Sequence, residues 1–123
     1  CVVIGWNESA EAMNAVRAAM PLLQAAEFVH IAIVDPSQTG PERSDPGGAL
    51  AVYLSRHGVK SDIQVMTRQG LKISERLTQH VTEIGADLLV MGGYGHSRFR
   101  EVVLGGATRE MLQYSTVPVL MAH

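Results

Sequence analysis

The chain of 123 residues has one cysteine, Cys1, and so no internal disulfide. Neither that cysteine nor the five histidines have the spacing of zinc ligands, and no metal site is expected. A reducing compartment, the cytoplasm, is the expected setting. Charge of one sign is also scarce. A net charge of −2 gives no basic stripe for nucleic acid. No apolar run approaches the ~20 residues that span a bilayer, and no secretory signal heads the chain. An initiator methionine is missing too, and Cys1 already lies in what reads as a strand. The sequence is therefore expected to be an N-terminally trimmed piece of a longer protein. What it has in quantity is apolar residues, 46% of the total, which excludes general disorder. Residues 1–123 read as one domain with a single core.

Cys1-Val2-Val3-Ile4-Gly5 is apolar throughout, as in a strand buried on both faces of a parallel sheet. After the turn Trp6-Asn7-Glu8-Ser9, Ser9 is the expected N-cap of a helix with Met13, Val16, Met20 and Leu23 on one face. Pro21 should kink or shorten the end of that helix. Phe28 to Val34 is a second buried strand, and residues 36–48, rich in proline and glycine, read as a flexible surface loop. A short helix should follow, with Leu50, Tyr53, Leu54 and His57 on one face and Gly58 as its stop. Ile63 to Thr67 alternates like a strand near a sheet edge. Ile73, Leu77, Val81 and Ile84 mark the next helix, ended by Gly85. Asp87 fits turn chemistry ahead of a fourth strand, Leu88 to Met91. Val117 to Met121 is the fifth, with Pro118 confining it to an edge or a strand start. Such alternation implies a doubly wound, five-stranded parallel sheet of order 3-2-1-4-5 with helices on both faces. The winding reverses between the first and fourth strands, where ligands of such folds sit.

At that reversal the fourth strand opens into LLVMGGYGHSRFREVVLGGATR, Leu88 to Arg109. A strand, a glycine turn and then a helix start are how backbone N–H groups are gathered toward an anion. Arg98, Arg100 and Arg109 add cations to the same segment, which reads as a phosphate-binding loop. Asn7 and Ser9, distant in sequence, fall beside Gly92 to Gly95.

With these residues in place the chain resembles the universal stress protein family over nearly its whole length. Nucleotide-binding members carry glycine, two residues, glycine, nine residues, then glycine and Ser or Thr. Gly92, Gly95 and Gly105 match, and Gly106 stands where the hydroxyl residue should be. The resemblance implies the adenine nucleotide alpha hydrolase-like fold and ATP, with Mg²⁺, or a related adenine nucleotide as ligand. It implies ribose contact at Asn7, where the family usually has Asp, and main-chain contact with adenine at Ile33. Phosphate would meet Gly92, Gly95, Gly105 and Gly106, with Thr108 replacing in part the missing hydroxyl and Arg98 and Arg109 as counter-charges. A lost hydroxyl donor costs ~1 kcal/mol. The turns GWNES and GGYGHSR resemble those of longer members with two domains in tandem, so the chain is expected to be the second half of such a protein. The family also pairs through its fifth strand. Val117 to Met121 is thus the candidate surface for a homodimer or a sister domain, and a nucleotide-independent interaction module is the alternative function.

Other chemistry finds less support. His96 beside Ser97 has no nameable orienting partner or nucleophile, so no catalytic residue is assigned and any ATP hydrolysis should be slow. Asp35 as a phospho-acceptor would need an acidic cluster in the first turn, which offers only Asn7-Glu8, and a lysine near the fifth strand, whereas none follows Lys72. An adenylate-forming enzyme would need a substrate site that nothing here supplies. Trp6 reads as packing at the crevice floor, Cys1 as a buried strand residue, and His30, His57 and His80 as strand, helix-face and surface residues.

Overall fold

The computed structural model describes residues 1–35, 45–93 and 115–122. Five strands, β1 (Val2–Gly5), β2 (Val29–Val34), β3 (Ser61–Met66), β4 (Leu88–Gly92) and β5 (Val119–Ala122), form one parallel sheet in the order β3-β2-β1-β4-β5. This is the expected order. Among the described residues three helices make the first three connections: α1 (Ala10–Ala25), α2 (Gly48–Arg56) and α3 (Ile73–Ile84). The expected loop lies mostly outside the described residues, and the helix after Gly106 does so entirely.

Strand alternation divides the core in two. Val2, Ile4, Val29, Ile31, Ile33 and Val90 pack against α1 and α2, and Val3, Ala32, Met66, Leu89 and Met91 against α3. The central strands are buried on both faces, hence their unbroken apolar runs. β3 lies at one edge, as expected, but its burial does not follow the apolar–polar alternation of its sequence: Val65 is half exposed and Met66 buried.

α1 begins as expected, with the Ser9 hydroxyl accepting from the Ala12 N–H at 3.0 Å. Its buried stripe is narrower in side-chain size than expected: Ala12, Ala15, Val16, Ala19 and Leu23 are buried, while Met13 and Met20 pack at its borders. Pro21 does not shorten it, because the helix continues to Ala25. Pro21 and Arg17, whose carbonyl loses its donor, are both exposed, so water can stand in for the missing N–H.

Two histidines depart from expectation. His57 caps α2 exposed to solvent, its ring against Tyr53 and its Nδ1 2.9 Å from the Tyr53 carbonyl oxygen. His80 is buried, not on the surface, because α3 turns Ser74, Leu77, His80 and Val81 inward and leaves Ile73 exposed in its first turn. Gly85 ends α3 with φ +66°, as expected of a helix stop. Cys1 precedes β1 and is half-buried. Pro118 stands just before β5, where it lends its carbonyl to the Leu89 N–H at 3.0 Å.

Candidate functional site

β1 lies between β2 and β4, so the chain leaves it to one side through α1 and returns to the other side as β4. The winding reverses at that pair, and in such sheets the ligand crevice lies beyond the carboxyl ends of the strands at that reversal. In a parallel ladder the backbone groups of successive residues point to alternate neighbours. On β2, the Ala32 carbonyl accepts from the Trp6 N–H at 3.0 Å, and the Asp35 N–H donates to Met66 at 2.8 Å. Ile33 and Asp35 thus address β3, and Val34 addresses the β1 side. On β4, Leu89 and Gly93 donate to β5 through the carbonyls of Pro118 and Ala122. Gly92 therefore addresses β1. Since β1 ends at Gly5, opposite Met91, the main chains of Val34 and Gly92 flank the place where it stops.

Asn7, Glu8 and Ser9 fill that place. The Asn7 side-chain oxygen accepts from the Ser9 N–H at 3.1 Å, an Asx turn that aims the chain into α1. Its carboxamide oxygen is thereby engaged with backbone, and the NH₂ end is the donor that a ligand could use; the side chain is exposed. Glu8 takes φ +64° to complete the turn. Asp35 and Gln69, just past β2 and β3, have φ +49° and +56°. Non-glycine residues in this region are uncommon, and such strain concentrates at functional edges. All three here lie at the carboxyl edge of the sheet. Asp35 is held there by Arg68, with Nε 3.0 Å from its carboxylate and the Arg68 N–H at 3.3 Å.

Gly92 meets the first turn of α1. A Cβ built on it would lie 2.6 Å from the Ala12 nitrogen and 2.8 Å from the Glu11 carbonyl carbon. Only a glycine lets the helix start so close to the strand end. Trp6 packs against the core of the α1 face, and its indole Nε1 is buried without an acceptor among the described residues.

Of the sequence-derived site residues, Asn7 and Gly92 both lie at this edge. Ile33 lies near the end of β2 with its side chain in the core and its main chain on the β3 side, so that Val34 is the β2 residue whose main chain faces the crevice. Sequence reading missed Val34 because ladder parity needs a register. It also missed the Asp35–Arg68 pair, for which only the strand ends gave a hint. Gly95, Arg98, Gly105, Gly106, Thr108 and Arg109 lie outside the described residues. Among the described residues no group of His, Cys, Asp and Glu could hold a metal ion, and no helix is long and apolar enough to cross a membrane.

Comparison with known proteins sets this geometry in a family. A universal stress protein of Synechocystis sp. is 28% identical over 92 residues, 75% of this chain and 31% of its own length. The chain thus spans about a third of that relative. Among solved structures, a universal stress protein from Archaeoglobus fulgidus superposes with a TM-score of 0.79 at 15% identity, covering 99% of this chain and 97% of that one. UspA from Lactobacillus plantarum gives 0.75 at 13%, covering 99% and 96%. A universal stress protein solved in complex with cAMP gives 0.66 at 20%, covering 99% and 95%. At these identities the structures establish the shared fold. The universal stress protein family model matches residues 2–123, all but the first residue, and the chain belongs to that family.

Proposed function

We propose that this domain serves stress response in the cytoplasm by binding ATP, with Mg²⁺, or a related adenine nucleotide in the crevice between β1 and β4. The observation that carries the reading is a convergence at the carboxyl edge of the sheet. The Asn7 turn, the main chains of Val34 and Gly92 and the start of α1 converge where β1 stops. The described part suits a nucleoside. The exposed Asn7 amide is a donor of the right kind for a ribose hydroxyl, and at the carboxyl end of β2 the main chain of Val34, next to the expected Ile33, is the one turned toward an adenine edge. Gly92, Gly95, Gly105 and Gly106 would present backbone to phosphate, with Thr108 as a hydroxyl and Arg98 and Arg109 as counter-charges. That a family member of the same fold was solved with cAMP supports an adenine nucleotide as the ligand class. Asn7 brings no charge where a carboxylate would, so ribose binding should be weaker than a charge-assisted contact gives.

Gly95→Val tests the site. The variant should keep the far-UV dichroism of the parent and lose ATP binding in a calorimetric titration. A folded variant with unchanged affinity would remove the glycine loop from the site.

A second reading draws on β5. It is the last strand of the described sheet, and Val119, Leu120 and Met121 on it are only half-buried. An edge strand of this kind can pair with another copy or a sister domain, and pairing through Val117–Met121 would then be the main role. Light scattering of the domain at micromolar concentration should give twice the monomer mass. A monomer would exclude self-pairing through this edge.

A further inference from the structure

α3 lies on the face of the sheet opposite α1 and α2, and one residue of its buried stripe is not apolar in the ordinary sense. His80 is 3% exposed, and its Nε2 is buried without a hydrogen-bond partner among the described residues. Facing it from β2 is His30, the ring centroids 6.4 Å apart and the planes nearly perpendicular. The His30 Nδ1 lies 2.9 Å from a carboxylate oxygen of Asp62, its register partner on β3, and Phe28 packs edge-on to the His30 ring at 5.1 Å. On α3 itself Arg76 and Glu83 are the nearest charges. The Arg76 guanidinium is directed to the Thr67 carbonyl and to Gln79, and Glu83 is exposed.

We propose that His80 and His30 form an acid-sensitive latch between α3 and the sheet, closed while His80 is neutral and opened when it takes up a proton. A neutral His80 leaves one buried ring nitrogen unpaired, a modest cost. A protonated one would bury a charged N–H with no acceptor among the described residues, facing a second imidazole whose own carboxylate, Asp62, is already engaged. Undocking α3 gives that proton water. Burial, then His30 and Arg76, hold the His80 pKa below its ordinary 6.5, and Glu83 and Asp62 only partly oppose them. The undocked state therefore binds the proton first as pH falls. Docking is at full strength above 6.5 and weakens from there down to the pKa of the buried ring. The latch also reaches the crevice. A Cβ on Gly5 would lie 3.2 Å from the Leu77 side chain, so α3 rests on the end of β1 where the Asn7 turn begins.

Amide exchange followed by mass spectrometry on the whole chain, at about pH 7.5 and about pH 5.5, tests this. Peptides of α1 serve as the internal clock at each pH. Protection of α3 relative to α1 should fall by up to about tenfold for each pH unit below 6.5, levelling off at the pKa of the buried ring. His80→Leu should remove that fall. If His80→Leu does not fold, the ring titration of the wild-type protein by NMR decides instead: a His80 midpoint below 6.5 supports the latch, and His30→Gln should move it upward. Parallel loss of protection in α1 and α3, a wild-type midpoint at or above 6.5, or an unchanged fall in a folded His80→Leu would each overturn the proposal.

Discussion

A methyl group at Gly92 would meet backbone, the Ala12 nitrogen and the Glu11 carbonyl carbon, and neither can rotate away. Gly92→Ala should therefore push the start of α1 off the strand end and destabilise the domain by about 1–3 kcal/mol, the range of an overpacked core. A urea titration would measure it, and an unchanged midpoint would show that the helix start yields freely. The sequence motif makes Gly92 and Gly95 look alike, yet Gly92 has a packing duty that no spacing could reveal. Spacing registers that glycine is required and is silent about which neighbour requires it. One turn away, Ser9 is the reverse case: its type and position already marked it as the N-cap, because that interaction is local in sequence. Ser9→Ala leaves the Ala12 N–H without its side-chain acceptor and should cost about 1 kcal/mol by the same titration. A loss under a few tenths would mean that water replaces the hydroxyl.

Within one helix, burial decides the outcome of like substitutions. On α2, Leu54 is fully buried in the core beside Leu50, whereas Val52 is half exposed. Leu54→Ala should cost about 2–5 kcal/mol through lost burial and the cavity left behind. Val52→Ala should stay within about 0.5 kcal/mol, as surface changes usually do. Comparable losses in chemical denaturation would mean that the exposed face of α2 is covered in solution. The same contrast shows why elements were legible and their faces only partly so. Strands and helices followed from apolar periodicity and stop residues. The rotation of α3 did not, since ranking by hydrophobicity favoured Ile73 over Ser74 and set His80 aside as polar. Leu77 and His80 are three apart, and Val81 follows Leu77 by four, so period alone placed His80 on the buried stripe. The misreading came from chemistry, because imidazole is half apolar and is buried when it can remain neutral. Residue size misled in α1 as well: three of its five buried residues are alanines, and the larger methionines lie at the margins.

Across the whole molecule, strand order was open to inference because alternating strands and helices with right-handed crossovers leave few arrangements. The proposed ligand would act at that same scale. The Asn7 turn and Gly92 belong to distant parts of the chain, and they come to the same edge only in the assembled sheet. A nucleotide bound to both has no counterpart site in the unfolded chain, so its binding free energy adds to global stability and not to that of one loop. At about a hundred times the dissociation constant, the gain is about 2.7 kcal/mol. For a domain of 123 residues this raises the melting temperature by several degrees. Mg-ATP at millimolar concentration should produce that shift and Mg-GTP should not. Trp6, the only tryptophan, lies at the crevice end of β1, so its fluorescence and far-UV dichroism should report one shared transition with and without ligand. The absorbance ratio at about 260 and 280 nm must first show the sample free of nucleotide. A nucleotide-free domain whose melting ignores ATP would leave the β1–β4 crevice without its ligand and make pairing through β5 the better account of the fold.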